Sequence, residues 1–153
     1  MNKVLEVKNL KTQFVTLRGV VKAVDGVSFH VEEGETLGIV GESGSGKSVT
    51  CTSILRLVPA PAGNIAAGEI ILNGTDLLSL TTKEMRKMRG SQVSMILQDP
   101  MTSLNPVYTV GNQVAEPIRI HQGLEKKSAW EKAKEILGLV KIPSPEVRLF
   151  EYP

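Results

Sequence analysis

The chain has 153 residues, 41% of them hydrophobic and 22% charged, with a formal net charge of +2. That is enough apolar material for a core, which argues against disorder, and a charge so small gives no reason to expect a nucleic-acid partner. A single cysteine, Cys51, excludes an internal disulfide and a cysteine metal cluster.

The first residues, "MNKVLEVKNLKTQF", alternate apolar and polar and lack the apolar core of a signal peptide. No run of about eighteen apolar residues follows, so no helical membrane span is expected. The reading is a soluble, cytoplasmic chain that meets a membrane only through a partner. "VLEVKNLKTQFVT" predicts a strand, and "VKAVDGVSFHV" a second, with Asp25-Gly26 a turn or bulge inside it. "EEGE" at 32–35 predicts a tight turn. "TLGIV" is a short apolar run flanked by glycines and predicts a buried strand. "KSVTCTSILRLV" predicts a helix with Val49, Ser53, Ile54, Leu57 and Val58 on its buried side, stopped by Val58 because Pro59 and Pro61 follow.

"AGEIILNG" predicts a strand ended by Asn73-Gly74. "TTKEMRKMRG" predicts a short helix, capped at Thr81 or Thr82 and stopped at Gly90. Its four cations predict a solvated face rather than a nucleic-acid or lipid contact. "VSMILQD" predicts another buried strand, and "DPMTSLNP" a loop. Beyond it the period turns helical. Val110, Val114 and Ile118 share one face, with Pro117 a kink or irregularity. Trp130, Ala133, Leu137 and Val140 share another. The end, "PSPEVRLFEYP", reads as a Pro-bearing loop. Residues 1–105 thus form one domain of mixed sheet character, and residues 106–153 a helical one.

"GESGSGKS" at 41–48 matches the phosphate-loop pattern G-x-x-x-x-G-K-[ST], between a predicted strand and a predicted helix. Glycines let successive backbone N–H groups converge on an anion, and the helix N-terminus adds unpaired donors. Gly41, Ser43, Gly44, Ser45, Gly46, Lys47, Ser48 and Val49 are therefore the candidate nucleotide-binding residues. Lys47 reaches the β- and γ-phosphates, and the Ser48 hydroxyl ligates Mg²⁺. Glu42 would repel phosphate and is expected to face solvent. Gln98 falls at the carboxyl end of the second apolar run, where open α/β sheets place ligands. It is read either as a partner of Mg²⁺ and the attacking water or as a surface glutamine. His30 and His121 make no metal site, and Cys51 is read as packing.

Taken together, "GESGSGKS" and "MILQDPMTSLNP" resemble the ATP-binding subunit of an ABC transporter. With "LEVKNLKTQF", "VKAVDGVSF" and "GETLGIVGESGSGKSVT", the resemblance narrows to the oligopeptide/dipeptide (peptide/nickel) importer branch and covers residues 3 to 153. It implies an α/β P-loop NTPase fold, a RecA-like core with an antiparallel β-subdomain, followed by the start of an α-helical subdomain. It implies ATP and Mg²⁺ as cofactors, and Gln98 as the glutamine that couples the γ-phosphate and Mg²⁺ to the transmembrane partner. Phe14 becomes the aromatic that stacks on adenine, or else a core-facing strand residue. Residues 99 to about 125 would lie toward the permease.

The implied partners are transmembrane permease subunits, a second ATPase subunit and, indirectly, a solute-binding protein. The implied location is the inner face of the cell membrane. The family's signature motif, acid-ended strand and switch histidine do not occur after "RLFEYP". The chain is therefore expected to be a truncated N-terminal piece, inactive alone, with "TLGIV" and "MILQD" short of strand neighbours. The alternatives are a non-catalytic nucleotide binder and an unrelated P-loop kinase or GTPase. The absence of a guanine-reading N-K-x-D stretch counts against the GTPase.

Overall fold

The computed structural model describes residues 2–98 and 103–153, in two compact units, Met1–Arg89 and Gly90–Pro153. The first unit is an antiparallel sheet carrying two short helices. β1 (Lys3–Thr16) and β2 (Gly19–Glu32) form a long hairpin, and β3 (Gly63–Leu72) pairs with the other edge of β1. β4 (Thr75–Asp76) completes the order β2-β1-β3-β4. The Asn73-Gly74 turn joins β3 to β4 with φ of 47° and 80°, the paired positive values of a type I′ hairpin turn. Gly26 is skipped between the pairs Leu10↔Val27 and Lys11↔Asp25, so the expected irregularity is a bulge. Val7, Leu10, Val24, Ile54, Leu55, Ile70, Leu72, Leu77 and Met85 are its buried apolar residues.

α1 (Lys47–Ile54) packs on β1 and β2. One buried hydroxyl chain fixes it there. Ser53 Oγ donates to the Val49 carbonyl at 2.6 Å, so its single proton is used and Thr12 Oγ1 donates to it at 2.8 Å. The helix is shorter than the sequence predicts. It is capped at Leu55, and Arg56 follows at a φ of 52°. The predicted buried face shifts with it: Thr50 and Leu55 are buried, whereas Leu57 is 47% exposed and Val58 half-buried. The carbonyls left open at that end are closed from elsewhere in the unit. Arg89 donates to Leu55 O at 2.7 Å and to Arg56 O at 2.8 Å, and Arg56 donates to Leu77 O and Leu80 O. So Arg89 does not belong to a solvated basic face. α2 (Thr82–Met88) has a complete capping box from Thr81 and Glu84.

The two buried strands expected at "TLGIV" and "VSMILQD" are not formed. Residues 36–40 are irregular and exposed, Val40 by 93%. Residues 94–97 are irregular too, with Ile96 98% exposed, and Asp99 lies outside the described residues. Strand geometry is held by a ladder, and among the described residues no strand runs beside 36–40 or 94–97.

The second unit contains α3 (Val110–Gln122), α4 (Lys126–Leu139) and α5 (Pro145–Arg148). Thr109 caps α3, Gly123 ends it at a φ of 66°, and Pro117 sits inside it. Ala115, Ile118, Ala129, Ala133, Leu137 and Leu149 form the core. The small residues matter: a Cβ on Gly111 would stand 2.6 Å from Leu149 O and 2.7 Å from the Trp130 ring. Val140, expected on the packed face of α4, is exposed because the helix ends at Leu139. The closing segment, expected as a loop, contains α5. It docks on α3, where Val110 N–H donates to Glu151 O and Gly111 N–H to Leu149 O. Two orphan donors of the α3 N-terminus are thereby satisfied. Among the described residues no helix is long and apolar enough to cross a membrane.

Candidate phosphate-binding site

The loop begins as irregular chain at Gly41 and Glu42, turns at Ser43-Gly44, and enters α1 at Lys47. Ser45 N–H donates to Glu42 O at 3.2 Å and closes the turn. Gly46 is the N-cap of α1, with a φ of 92° and no side-chain cap. No acidic residue sits in the first helical turn, so the unpaired N–H groups and the positive end of the helix dipole remain open to an anion.

One glycine, Gly46, is demanded by close approach to backbone, whereas Gly41 meets only a rotatable side-chain oxygen. A Cβ on Gly46 would stand 2.3 Å from the Ala23 carbonyl oxygen of β2, and one on Gly41 2.7 Å from Ser45 Oγ. β2 therefore seats the loop as well as lying beneath the helix. Gly44 has a φ of 82° with open space around it, so its constraint is the backbone alone.

Lys47 folds back over the loop it follows. Its Nζ donates to Gly41 O and Glu42 O, both at 2.7 Å, and to Ser45 Oγ at 3.3 Å. The ammonium thus sits within the turn of the loop, bound to the carbonyls of Gly41 and Glu42. Ser48 is exposed in the first helical turn, Val49 is half-buried, and Glu42 is exposed as expected. The structure therefore brings Gly41, Ser43, Gly44, Ser45, Gly46, Lys47, Ser48 and Val49 into one loop and helix start. The donor set is a cation, hydroxyls and backbone N–H groups, which suits an oxyanion. Among the described residues no group of three or more His, Cys, Asp or Glu side chains could hold a metal. A divalent cation would therefore depend on Ser48 and on oxygens that a ligand brings.

Phe14 lies in the same unit. Its ring is half-buried against Gly63, where an added Cβ would fall 2.6 Å from Phe14 Cε1 and 2.6 Å from Val58 Cγ1. Gln98 belongs to the second unit and is exposed in a bend. Its expected place at the end of a buried strand is corrected, because that strand is absent. Sequence reasoning placed Ser53 on the buried side of α1, but it did not identify its bond to Thr12 or the reach of Arg89 to the helix end, which fix α1. A hydroxyl on a strand and one on a helix, 41 residues apart, carry no local signal.

Residues 24–151 match the family model described as ABC transporter. A probable peptide ABC transporter ATP-binding protein of Sinorhizobium fredii is 52% identical over 149 residues, which cover 97% of this chain and 44% of that protein. An oligopeptide transport ATP-binding protein of Bacillus subtilis is 50% identical over 153 residues, covering 100% of this chain and 43% of that protein. A dipeptide transport ATP-binding protein of the same organism is also 50% identical, with 46% of its length covered. The chain thus spans less than half the length of these curated relatives. Among solved structures, a dimeric ATP-binding cassette in a post-hydrolysis state with ADP and Pi matches with a TM-score of 0.82 at 22% identity, over 97% of this chain and 61% of that one. At that identity the likeness is one of fold.

Proposed function

Because the chain belongs to the ABC transporter family, shown by the match over residues 24–151, we propose that it is the nucleotide-binding part of an ATPase that energises import of peptides or related solutes. The observation that carries this reading is the Lys47 ammonium folded within the 41–48 loop, beside a helix start free of acidic residues.

On this reading the loop receives the phosphates of ATP. Lys47 releases the Gly41 and Glu42 carbonyls and turns its ammonium to the β- and γ-phosphates. The N–H groups around Gly44, Ser45 and Gly46 and the first turn of α1 hold the phosphate oxygens, and Ser48 ligates Mg²⁺. Mg²⁺ held by Ser48 would supply neutralisation of the phosphates' charge. Phe14 is proposed to stack on adenine, which requires its ring to leave or share its seat on Gly63. Gln98 is proposed to sense the γ-phosphate and Mg²⁺. The proposed partners are transmembrane permease subunits, met by residues 99 to about 125, a second ATPase subunit, and a solute-binding protein reached through the permease. The proposed location is the inner face of the cell membrane. The relatives named for peptide, oligopeptide and dipeptide transport support the solute class.

Calorimetric titration of the 153-residue chain with Mg-ATP tests the loop. Binding should weaken at least tenfold with Lys47→Ala and should require Mg²⁺. Equal affinity in the variant would overturn the assignment. Hydrolysis also requires an acid that holds the metal and a base that polarises water. Turnover by this chain alone should therefore be negligible, and robust turnover lost with Lys47→Ala would contradict that.

A further inference from the structure

α1 is 8 residues long, about 12 Å from end to end. A helix that short is marginal on its own, so whatever closes its far end bears on the first turn, which opens on the 41–48 loop. The far end is closed by a pair of backbone bonds: Leu57 N–H donates to Thr52 O at 2.8 Å and Arg56 N–H to Ser53 O at 2.9 Å. Glycine is the usual residue at the left-handed position of such a turn. Here it is Arg56, at a φ of 52°, which a side chain adopts only at a cost. Its guanidinium offsets that cost by donating to Leu77 O at 3.0 Å and Leu80 O at 2.6 Å, which ties the helix end to the chain after β4.

That turn supplies no donor to the carbonyls of Leu55 and Arg56, and α1 has no basic residue in its own last turn. Arg89 serves both carbonyls: Nε donates to Leu55 O at 2.7 Å and Nη2 to Arg56 O at 2.8 Å. Two donors on one rigid plane meet two successive carbonyls, and the cation stands at the negative end of the helix dipole. Leu55 is buried, and a buried carbonyl left without a donor is costly. We infer that Arg89 is a positioning residue for the phosphate loop: by closing the far end of α1, it holds the first-turn N–H groups and Lys47 where an oxyanion meets them. The step from helix to nucleotide rests on the reading of residues 41–48 as the ATP phosphate site, and the clamp on α1 does not.

Amide hydrogen exchange on the full chain reads the two ends of α1 separately, at Leu55, whose N–H donates to Cys51 O, and at Thr50, whose N–H donates to Gly46 O. Arg89→Met keeps an apolar stem but has no donors. Exchange should speed about tenfold at both amides, in excess of any change in β1 and β2. Arg89→Lys retains a cation with donors and should recover part of the protection at both ends. Faster exchange at Leu55 alone would make Arg89 a local cap and overturn the positioning role. A uniform rise through β1, β2 and α1 would make it a general support of the unit and overturn it as well. Unchanged exchange at both amides would overturn the clamp, and a lysine variant no better than methionine would overturn hydrogen-bond donation as its cause.

Calorimetric titration of the same variants with Mg-ATP reads the effect on the loop. Binding should weaken severalfold with Arg89→Met and recover in part with Arg89→Lys. Equal affinity in the methionine variant, with α1 opened, would overturn the positioning role. Wild-type binding that ignores Lys47→Ala would overturn the nucleotide step together with the phosphate-loop reading, while the exchange rates still decide the clamp.

Discussion

Gly46 carries two constraints at one position, a φ of 92° and a β2 carbonyl 2.3 Å from where a Cβ would stand. Gly44 carries only the first, with a φ of 82° and open space around it. The left-handed backbone alone costs a side chain roughly 1–2 kcal/mol. Gly44→Ala should therefore destabilise the first unit by about 1–2 kcal/mol. Gly46→Ala should cost more, since the clashing atom is backbone, and should abolish nucleotide binding by lifting the loop off β2. Urea midpoints for the two variants give the ranking, and equal midpoints would refute the steric account. Lys47 shows the complementary economy of a charged residue. It is not buried and, among the described residues, pairs with no acid, but is held by carbonyls of its own loop, an arrangement an incoming phosphate can replace.

At the scale of elements, α2 shows how local chemistry sets a helix boundary. Thr81 Oγ1 accepts from Glu84 N–H, and the Glu84 carboxylate accepts from Thr81 N–H at 2.8 Å. Thr81→Ala should cost about 1 kcal/mol, measured by thermal or urea unfolding. The Thr81 hydroxyl and N–H hold the Glu84 carboxyl below its ordinary value of 4.5. Since the folded value is the lower one, the unfolded chain binds more protons in acid. The stabilisation is present above the unfolded value and is lost as pH falls through the folded value. Glu6, lowered first by its hydrogen bond to Lys3, titrates with the same sign. Stability should decline from about pH 4.5 downward, and less steeply in Glu84→Gln.

Such boundaries were legible because their signals are contiguous: the Thr81–Glu84 spacing, the Asn73-Gly74 turn, the glycine pattern of the 41–48 loop. The end of α1 was not, because it is set by Arg56 at positive φ and by Arg89 reaching back from 33 and 34 residues away. Nor was α5, a single turn that packs on α4 and is followed by Leu149 and Glu151, whose carbonyls accept from α3, so that packing rather than its own propensity holds it. The candidate site was legible as a motif, but its seat on β2 was not.

Across the whole molecule, apolar surface is unevenly covered. Val40 and Ile96 are almost fully exposed, each within an irregular apolar run that local pattern alone would bury. Segments of that kind, apolar and without a ladder, are templates for association. Purified chain should self-associate as concentration rises. Ile96→Lys or Val40→Lys should raise the soluble fraction, as light scattering would report, with circular dichroism unchanged. Scattering that does not respond to either substitution would mean that association runs through another surface.

The chain's one tryptophan, Trp130, stacks near Phe150 in the second unit with ring centroids 5.1 Å apart. Its one cysteine, Cys51, lies half-buried in α1 of the first. Intrinsic emission and thiol labelling are therefore two optical channels with no residue in common, one for each unit. Emission reports the melting of the helical unit, and labelling times the opening of the nucleotide loop's helix, in the same sample and without any engineered probe.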